Sequence, residues 1–506
     1  MPIILRAARA NALVAPLGAC VALAAAVIVA RALQPEAYAD YATLMALLAW
    51  LLILSEVGCN IGLARYLRDA ATLRARLSLY WNLQCRRWLF VIGISVAVSL
   101  AGPQWVKATG LNPDDWRTVS FFLVGILAGV MLHGQLASSA LATGFQHARL
   151  LWLAQLMTIL RAICLALLAA FLSEPLVLVG ALLIVAIIES LLLHNLVTKN
   201  FNDEKEPLPP GFATTAQSHG LVSLFDKMST ALAGGPFLLL ILAGLYSRTD
   251  LALLAIATDL LQKVLSFTCL PISGFVLPLL HESRGDEARF RRQLECLGGL
   301  AVFWFSIITA AVATVLPIGF PLVLGSQYAA AVPVALVWLL PLFVESAIRM
   351  VWGSGLLVTH QYGWLMIYNS IFSLAALSVV FLVKDQGLLV LLACLGGVKL
   401  IMSFMVIVQV HRKGLVPATS HPIGIVFVSA TCCLISLFIQ FQLDGLPDVV
   451  RLIIGVVVYS FAMLVFLKFV PLLSAPAYQA LCSLAGPYAA LVMRVLAAPS
   501  EAKCRA

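Results

Sequence analysis

The sequence predicts an all-α integral membrane protein with about 14 transmembrane helices. Three observations predict it. Of 506 residues, 62% are hydrophobic and 11% are charged, with a mean hydropathy of +1.02, against roughly 25% charged in soluble globular proteins. Apolar runs of span length recur along nearly the whole chain. Basic residues gather on alternate connections, as they do on the cytoplasmic loops of polytopic proteins. No water-soluble domain has enough polar cover for so much apolar surface, so a soluble enzyme and a nucleic-acid-binding protein are excluded.

Apolar runs bounded by polar residues place spans at 12–32, 39–64, 88–101, 118–143, 150–172, 175–197 and 221–246. They continue at 251–278, 297–324, 331–357, 363–383, 387–410, 422–441 and 450–471. The first span follows Arg6 and Arg9 and is too long for a signal-peptide core, so it is read as an uncleaved helix. An even number of spans puts both termini on one side. With the N-terminus cytoplasmic, 20 of the 32 Lys and Arg residues fall on inner segments and 6 on outer ones, the rest lying inside spans. That bias sets the orientation.

Two inner segments depart from the short-loop pattern. Leu67–Trp88 mixes Arg with Leu, Tyr and Trp, as an amphipathic helix on an anionic leaflet would. Residues 199–220 are polar and Pro-rich and read as a linker. The linker divides the chain into an N-lobe, 1–198 with helices 1–6, and a C-lobe, 221–411 with helices 7–12; residues 412–472 add helices 13 and 14, and 473–506 form a cytoplasmic or interfacial tail. Ser138, Leu141 and Thr143 match Ser354, Leu357 and Thr359 at a constant offset of 216, consistent with a duplication of the two six-helix halves. The 11 cysteines lie mostly in apolar runs without metal-ligand spacing, so they are read as small apolar side chains and no metal is expected.

Ala30–Leu67 (ARALQPEAYADYATLMALLAWLLILSEVGCNIGLARYL) holds Leu33, Pro35, Glu36, Tyr38, Tyr41, Glu56, Gly58 and Arg65 in a turn-and-helix pattern. This resembles the start of the polysaccharide and O-antigen flippases of the multidrug/oligosaccharidyl-lipid/polysaccharide (MOP) exporter superfamily. LPISGFVLPLLHE (Leu270–Glu282) and GFPLVLGSQYAAAVPVALVWLLPL (Gly319–Leu342) are similar to that family's later helices. The resemblance covers roughly residues 10–410. It implies two pseudo-symmetric six-helix lobes around a central cavity, with two extra C-terminal helices. It further implies flipping of undecaprenyl-pyrophosphate-linked oligosaccharide across a bacterial inner membrane by alternating access, with membrane lipids, a polysaccharide polymerase and assembly proteins as partners. The long N-terminal pattern of the superfamily's lipid II flippases is absent.

An ionisable group inside the bilayer is costly unless it faces a partner or water, so each is a candidate site. Asp259 with Lys263, and Glu345 with Arg349, are spaced by four, acid first, which suits an ion pair on one helix face. Arg349 is the favoured head-group contact because a guanidinium can hold two phosphate oxygens. Asp226 and Lys227 are adjacent and point about 100° apart, so each needs its own partner; the resemblance places Lys227 on a cavity-lining helix. Arg161 shares a polar stripe with Thr158 and Gln155, and Lys399 is a further basic candidate. Glu56, with Asn60 one turn on, caps its helix or pairs with Arg65. His133 and Glu189 are weaker candidates, and Lys468 reads as a snorkelling anchor.

No Walker A string, GxSxG elbow or HExxH motif is present, so neither enzyme activity nor a cofactor is expected. Two alternative readings stay open. A small-molecule antiporter of the same superfamily requires an acidic cavity. A polytopic glycan polymerase or ligase requires a large outer loop, whereas the longest here is about 101–117.

Overall fold

The computed structural model describes residues 2–109, 118–143, 147–172, 174–201, 206–232, 235–359, 361–415 and 421–470, with 473, 478, 495 and 496. Their regular structure is helical throughout. The helices are α1 (Pro2–Leu54), α2 (Cys59–Thr72), α3 (Arg76–Thr109), α4 (Thr118–Thr143), α5 (His147–Phe171), α6 (Pro175–Asn200), α7 (Phe212–Leu232) and α8 (Gly235–Leu242). They continue with α9 (Arg248–Glu282), α10 (Glu287–Leu324), α11 (Ala331–Ile348), α12 (Ser354–Val358), α13 (Tyr362–Val383), α14 (Leu388–Arg412), α15 (His421–Gln442) and α16 (Asp448–Phe469).

Among the described residues, 12 helices are long and apolar enough to cross a membrane. With α2 and α7, the described helices of 14 residues or more number fourteen, in line with the about 14 that the sequence predicts. α1 contains the first predicted span and most of the second, whose end at 59–64 lies in α2, and it breaks at Gln34, with φ 60° and ψ 165°. Pro35 follows, and its ring disfavours helical backbone in the residue before it while needing no N–H partner of its own. On the seventh predicted span, α7 is described to Leu232 and α8 from Gly235, with residues 233 and 234 outside the described residues.

The largest departure is α3. The sequence suggests a surface helix over Leu67–Trp88 and a short span at 88–101, but residues 67–72 close α2, and α3 is one 34-residue helix that joins 76–88 to the short span. A 14-residue span reaches only about 21 Å, short of the roughly 30 Å hydrocarbon core. Leu79, Tyr80, Leu83, Gln84 and Arg87 are all buried, on one face of α3 at spacings of three and four. Of the residues assigned to the linker at 199–220, those at 202–205 lie outside the described residues. Lys199 and Asn200 close α6, Ser78 Oγ donates to the Glu206 carbonyl at 2.7 Å, and α7 begins at Phe212.

The chain forms two compact units, Met1–Lys263 with Asn369–Leu377, and Val264–Tyr368 with Ser378–Ala506. In the first, α2, α3, α4, α6 and α7 share a core of Leu63, Leu67, Leu79, Leu83, Leu136 and Val197. α2 enters it through a sharp turn in which Val57 (φ 46°) and Gly58 (φ 71°) are both left-handed. A β-branched residue there is strained, and the turn is held by close backbone packing. A Cβ on Gly58 would lie 2.3 Å from the Gly220 carbonyl carbon, and one on Gly62 would lie 2.3 Å from the Ala216 carbonyl oxygen. Small residues four apart let two helix backbones approach in this way.

In the second unit α10 is the hub. α15 and α16 dock on it through polar bonds, with Tyr459 Oη donating to the Ile307 carbonyl at 2.7 Å and Gln440 Nε2 to the Thr314 carbonyl at 3.4 Å. The last two helices are thus fastened to this unit by side-chain hydrogen bonds as well as apolar contact. α11 runs through Pro341, which seats against Gly396 on α14, where a Cβ would lie 2.7 Å from the proline ring.

Gly220→Ala would place its Cβ 1.8 Å from the Gly58 carbonyl oxygen, and overpacking of this kind costs about 1–3 kcal/mol. At Gly93 on α3 a Cβ meets nothing within 4 Å. Thermal unfolding in detergent should therefore show a clear loss for Gly220→Ala, and no loss or a slight gain for Gly93→Ala.

Candidate functional site

The second unit brings together three of the sequence-predicted residues. Glu345 and Arg349 lie one turn apart on and just beyond α11, with Arg349 Nε 3.1 Å from Glu345 Oε1. From α14, Lys399 Nζ reaches the other oxygen, Glu345 Oε2. The side chains of Glu345 and Lys399 are only 12% and 7% exposed, so the carboxylate is held between two cations away from water. Aromatic rings complete the surroundings, with the Lys399 ammonium 5.3 Å from the Trp338 ring centre and the Arg349 guanidinium 5.8 Å from that of Tyr368. The backbone is irregular at this point. Arg349–Gly353 form a π-helical turn, a form found mostly as single turns and often at functional sites.

Among the described residues, two cations thus share one carboxylate at this point, an arrangement that low dielectric favours only when the charges answer one another. Next to the cluster, on other faces of α10, α11, α14 and α15, lies an apolar cavity of about 560 Å³ lined by Phe305, Leu339, Phe343, Ile348, Ile425 and Val426. Ser429 Oγ also lines it, buried and without a hydrogen-bond partner among the described residues.

In the first unit Arg161 of α5 pairs with Glu189 of α6, an acid that the sequence ranks lower. The two line a second cavity, of about 400 Å³, with Asn60 and Gln135. Beside it is a polar network that sequence reasoning missed. Arg87 is 1% exposed; it donates through Nη2 to Asn60 Oδ1 at 2.7 Å and through Nη1 to the Leu132 carbonyl. Glu56 is buried and interacts electrostatically with this same arginine. Arg65 instead is exposed beside the Tyr66 ring. His133 and His194 face each other with Nε2 and Nδ1 3.3 Å apart, the Trp88 indole N–H donates to His133 Nδ1 at 3.1 Å, and Tyr80 Oη lies 3.0 Å from His194 Nδ1. The signal that could have found this network is the shortness of the 88–101 span, which calls for an extension through Arg87 and Tyr80.

Asp259 and Lys263 form the i, i+4 pair that their spacing suggests, with side chains 39% and 26% exposed. Asp226 and Lys227 fall on α7, but their side chains lie outside the described residues. Lys468 closes α16 beside the Phe469 ring, 5.8 Å from its centre.

A multi-pass helical fold with polar clusters inside its spans defines an integral membrane protein. Residues 5–284, more than half of the chain, match the family described as polysaccharide biosynthesis protein, and the chain belongs to that family. Among solved structures, the lipid II flippase MurJ in an inward closed conformation is similar at TM-score 0.69 and 12% identity, over 90% of this chain and 98% of that one. An inward-facing multidrug resistance MATE family transporter of the MOP superfamily matches at TM-score 0.60 and 13% identity, over 78% and 95%. A MOP superfamily transporter from Pyrococcus furiosus matches at TM-score 0.60 and 13% identity, over 81% and 95%. These likenesses show the fold. No curated protein matches the chain in sequence.

Removing one partner of a buried ion pair costs about 3–5 kcal/mol because it leaves the other charge uncompensated. Glu345→Gln strands two cations, whereas Lys399→Met leaves Arg349 and Glu345 paired. Thermal unfolding should rank Glu345→Gln well below Lys399→Met.

Proposed function

We propose that the protein flips undecaprenyl-pyrophosphate-linked oligosaccharide from the cytoplasmic to the periplasmic leaflet of a bacterial inner membrane by alternating access, for O-antigen, capsule or exopolysaccharide assembly. The observation that carries this reading is the pair of cations, Arg349 and Lys399, gathered on the Glu345 carboxylate inside the spans. A pyrophosphate competes with that carboxylate for the same cations, and the planar Arg349 fork can hold two of its oxygens. As the anion arrives, Glu345 gives up one or both of its cations, so binding and repacking of α11 against α14 are a single event. The π-helical turn at Arg349 gives α11 a place to repack.

Further features support the reading. The apolar cavity of about 560 Å³ beside the cluster suits part of a polyprenyl chain, since hydrocarbon gains from any surface that excludes water. The family is one of polysaccharide biosynthesis, and the similar MurJ structure is that of a lipid II flippase. The distribution of Lys and Arg favours cytoplasmic termini. In this reading residues 1–198 and 221–411 are the two six-helix lobes, and Lys227, Lys263, Asp226, Asp259 and Glu56 are further cargo-path or ion-coupling groups. Polymerase and assembly proteins then act on the product.

Replacing all three cluster residues at once (Glu345→Gln, Arg349→Gln and Lys399→Gln) removes the charge without stranding any ion. Purified into proteoliposomes, this triple variant should keep its fold by circular dichroism and lose translocation of undecaprenyl-pyrophosphate-linked oligosaccharide by at least about tenfold, the worth of one or two charge-assisted hydrogen bonds. A folded triple variant that transports at the wild-type rate contradicts the proposal.

A further inference from the structure

We infer that the polar cavity of the first unit is a carbohydrate subsite, which takes neutral sugar hydroxyls of the cargo rather than its phosphates. The inference rests on the reading of the cargo as a lipid-linked glycan. Six polar side chains from four helices converge on this cavity: Asn60 of α2, Gln135, Ser138 and Ser139 of α4, Arg161 of α5 and Glu189 of α6. Its volume of about 400 Å³ is within the range of about 300–1,000 Å³ usual for small-molecule sites. Arg161 and Glu189 each lie about 21 Å along their helices at 1.5 Å per residue, near mid-span, where polar side chains are retained for a purpose.

The charge balance separates this cavity from the cluster in the second unit. Arg161 and Glu189 pair one to one, so the site has no net charge, and its carboxylate repels a phosphate. It offers donors from the guanidinium, acceptors from the carboxylate, and both kinds from the amide and hydroxyl groups. A sugar hydroxyl donates and accepts at once, so a polyol matches this mixture where a simple anion or cation does not. Met131 and Leu193 supply apolar wall for the C–H face of a pyranose ring. Asn60 is set for this use, because Arg87 Nη2 donates to its Oδ1 at 2.7 Å. The carbonyl end of the amide is thereby engaged, and the NH2 end is left to donate toward a ligand.

The test compares two probes on the full-length protein in lipid nanodiscs: undecaprenyl pyrophosphate carrying a short neutral oligosaccharide, and undecaprenyl pyrophosphate without sugar. In one variant Arg161→Gln is combined with Glu189→Gln, which removes the pair without stranding a charge. In a second, Ser138→Leu fills the cavity and leaves the pair intact. Both should weaken binding of the glycan probe by about tenfold and that of the sugar-free probe by no more than about twofold. Equal weakening for the two probes, or unchanged glycan binding in both variants, overturns the subsite. A wild-type protein that binds neither probe overturns the flippase reading itself, whereas one that binds both, with variants that match it, overturns the subsite alone.

Discussion

A charge in hydrocarbon has to be answered by another charge or by a ligand, and much of this protein's interior is organised by that requirement. Glu345 is the clearest case. One buried carboxylate holds a guanidinium from its own helix and an ammonium from α14, which ties the position of α11 to that of α14. In the first unit the same requirement joins α5 to α6 through Arg161 and Glu189, and α2 to α3 through Arg87 and Asn60. Each cluster is a fastening between helices as well as a candidate contact for cargo. A ligand that competes for one member would loosen packing at the same moment that it binds.

The backbone answers a parallel demand. Within the bilayer every N–H and C=O must be satisfied inside the protein, so breaks in the helices are confined to particular chemistry. Gln34 breaks because Pro35 follows it, Gly58 turns because a Cβ there would strike Gly220, and Arg349–Gly353 widen into a π-helical turn next to the charged cluster. The prolines at 317, 321 and 341 lie inside continuous helices.

The helices were largely legible from the sequence because lipid enforces a simple rule of length and apolarity. The span at 118–143 coincides with α4, and the pairs at 259/263 and 345/349 form as their spacing implies. Long-range contacts were not legible. Lys399 is 54 residues from Glu345, and no local pattern connects them. Arg87 was hidden for a different reason. Arg, Leu, Tyr and Trp in one stretch suit a helix on a membrane surface as well as one buried in a polar core, and only the reach of α3 decides between them. The Arg161–Glu189 cavity was half visible, since the arginine stood out as a charge within a span while its partner's worth depended on how α5 and α6 pack.

The most direct test of the central claim is the leaflet in which lipid-linked oligosaccharide resides when the gene is deleted from its host, read by protection from a membrane-impermeant glycan-modifying reagent. The account predicts accumulation on the cytoplasmic face, reversed by the intact gene. Glycan that reaches the periplasmic face normally, but stays unpolymerised or unligated, would contradict it and move the protein to the enzymes that act after translocation.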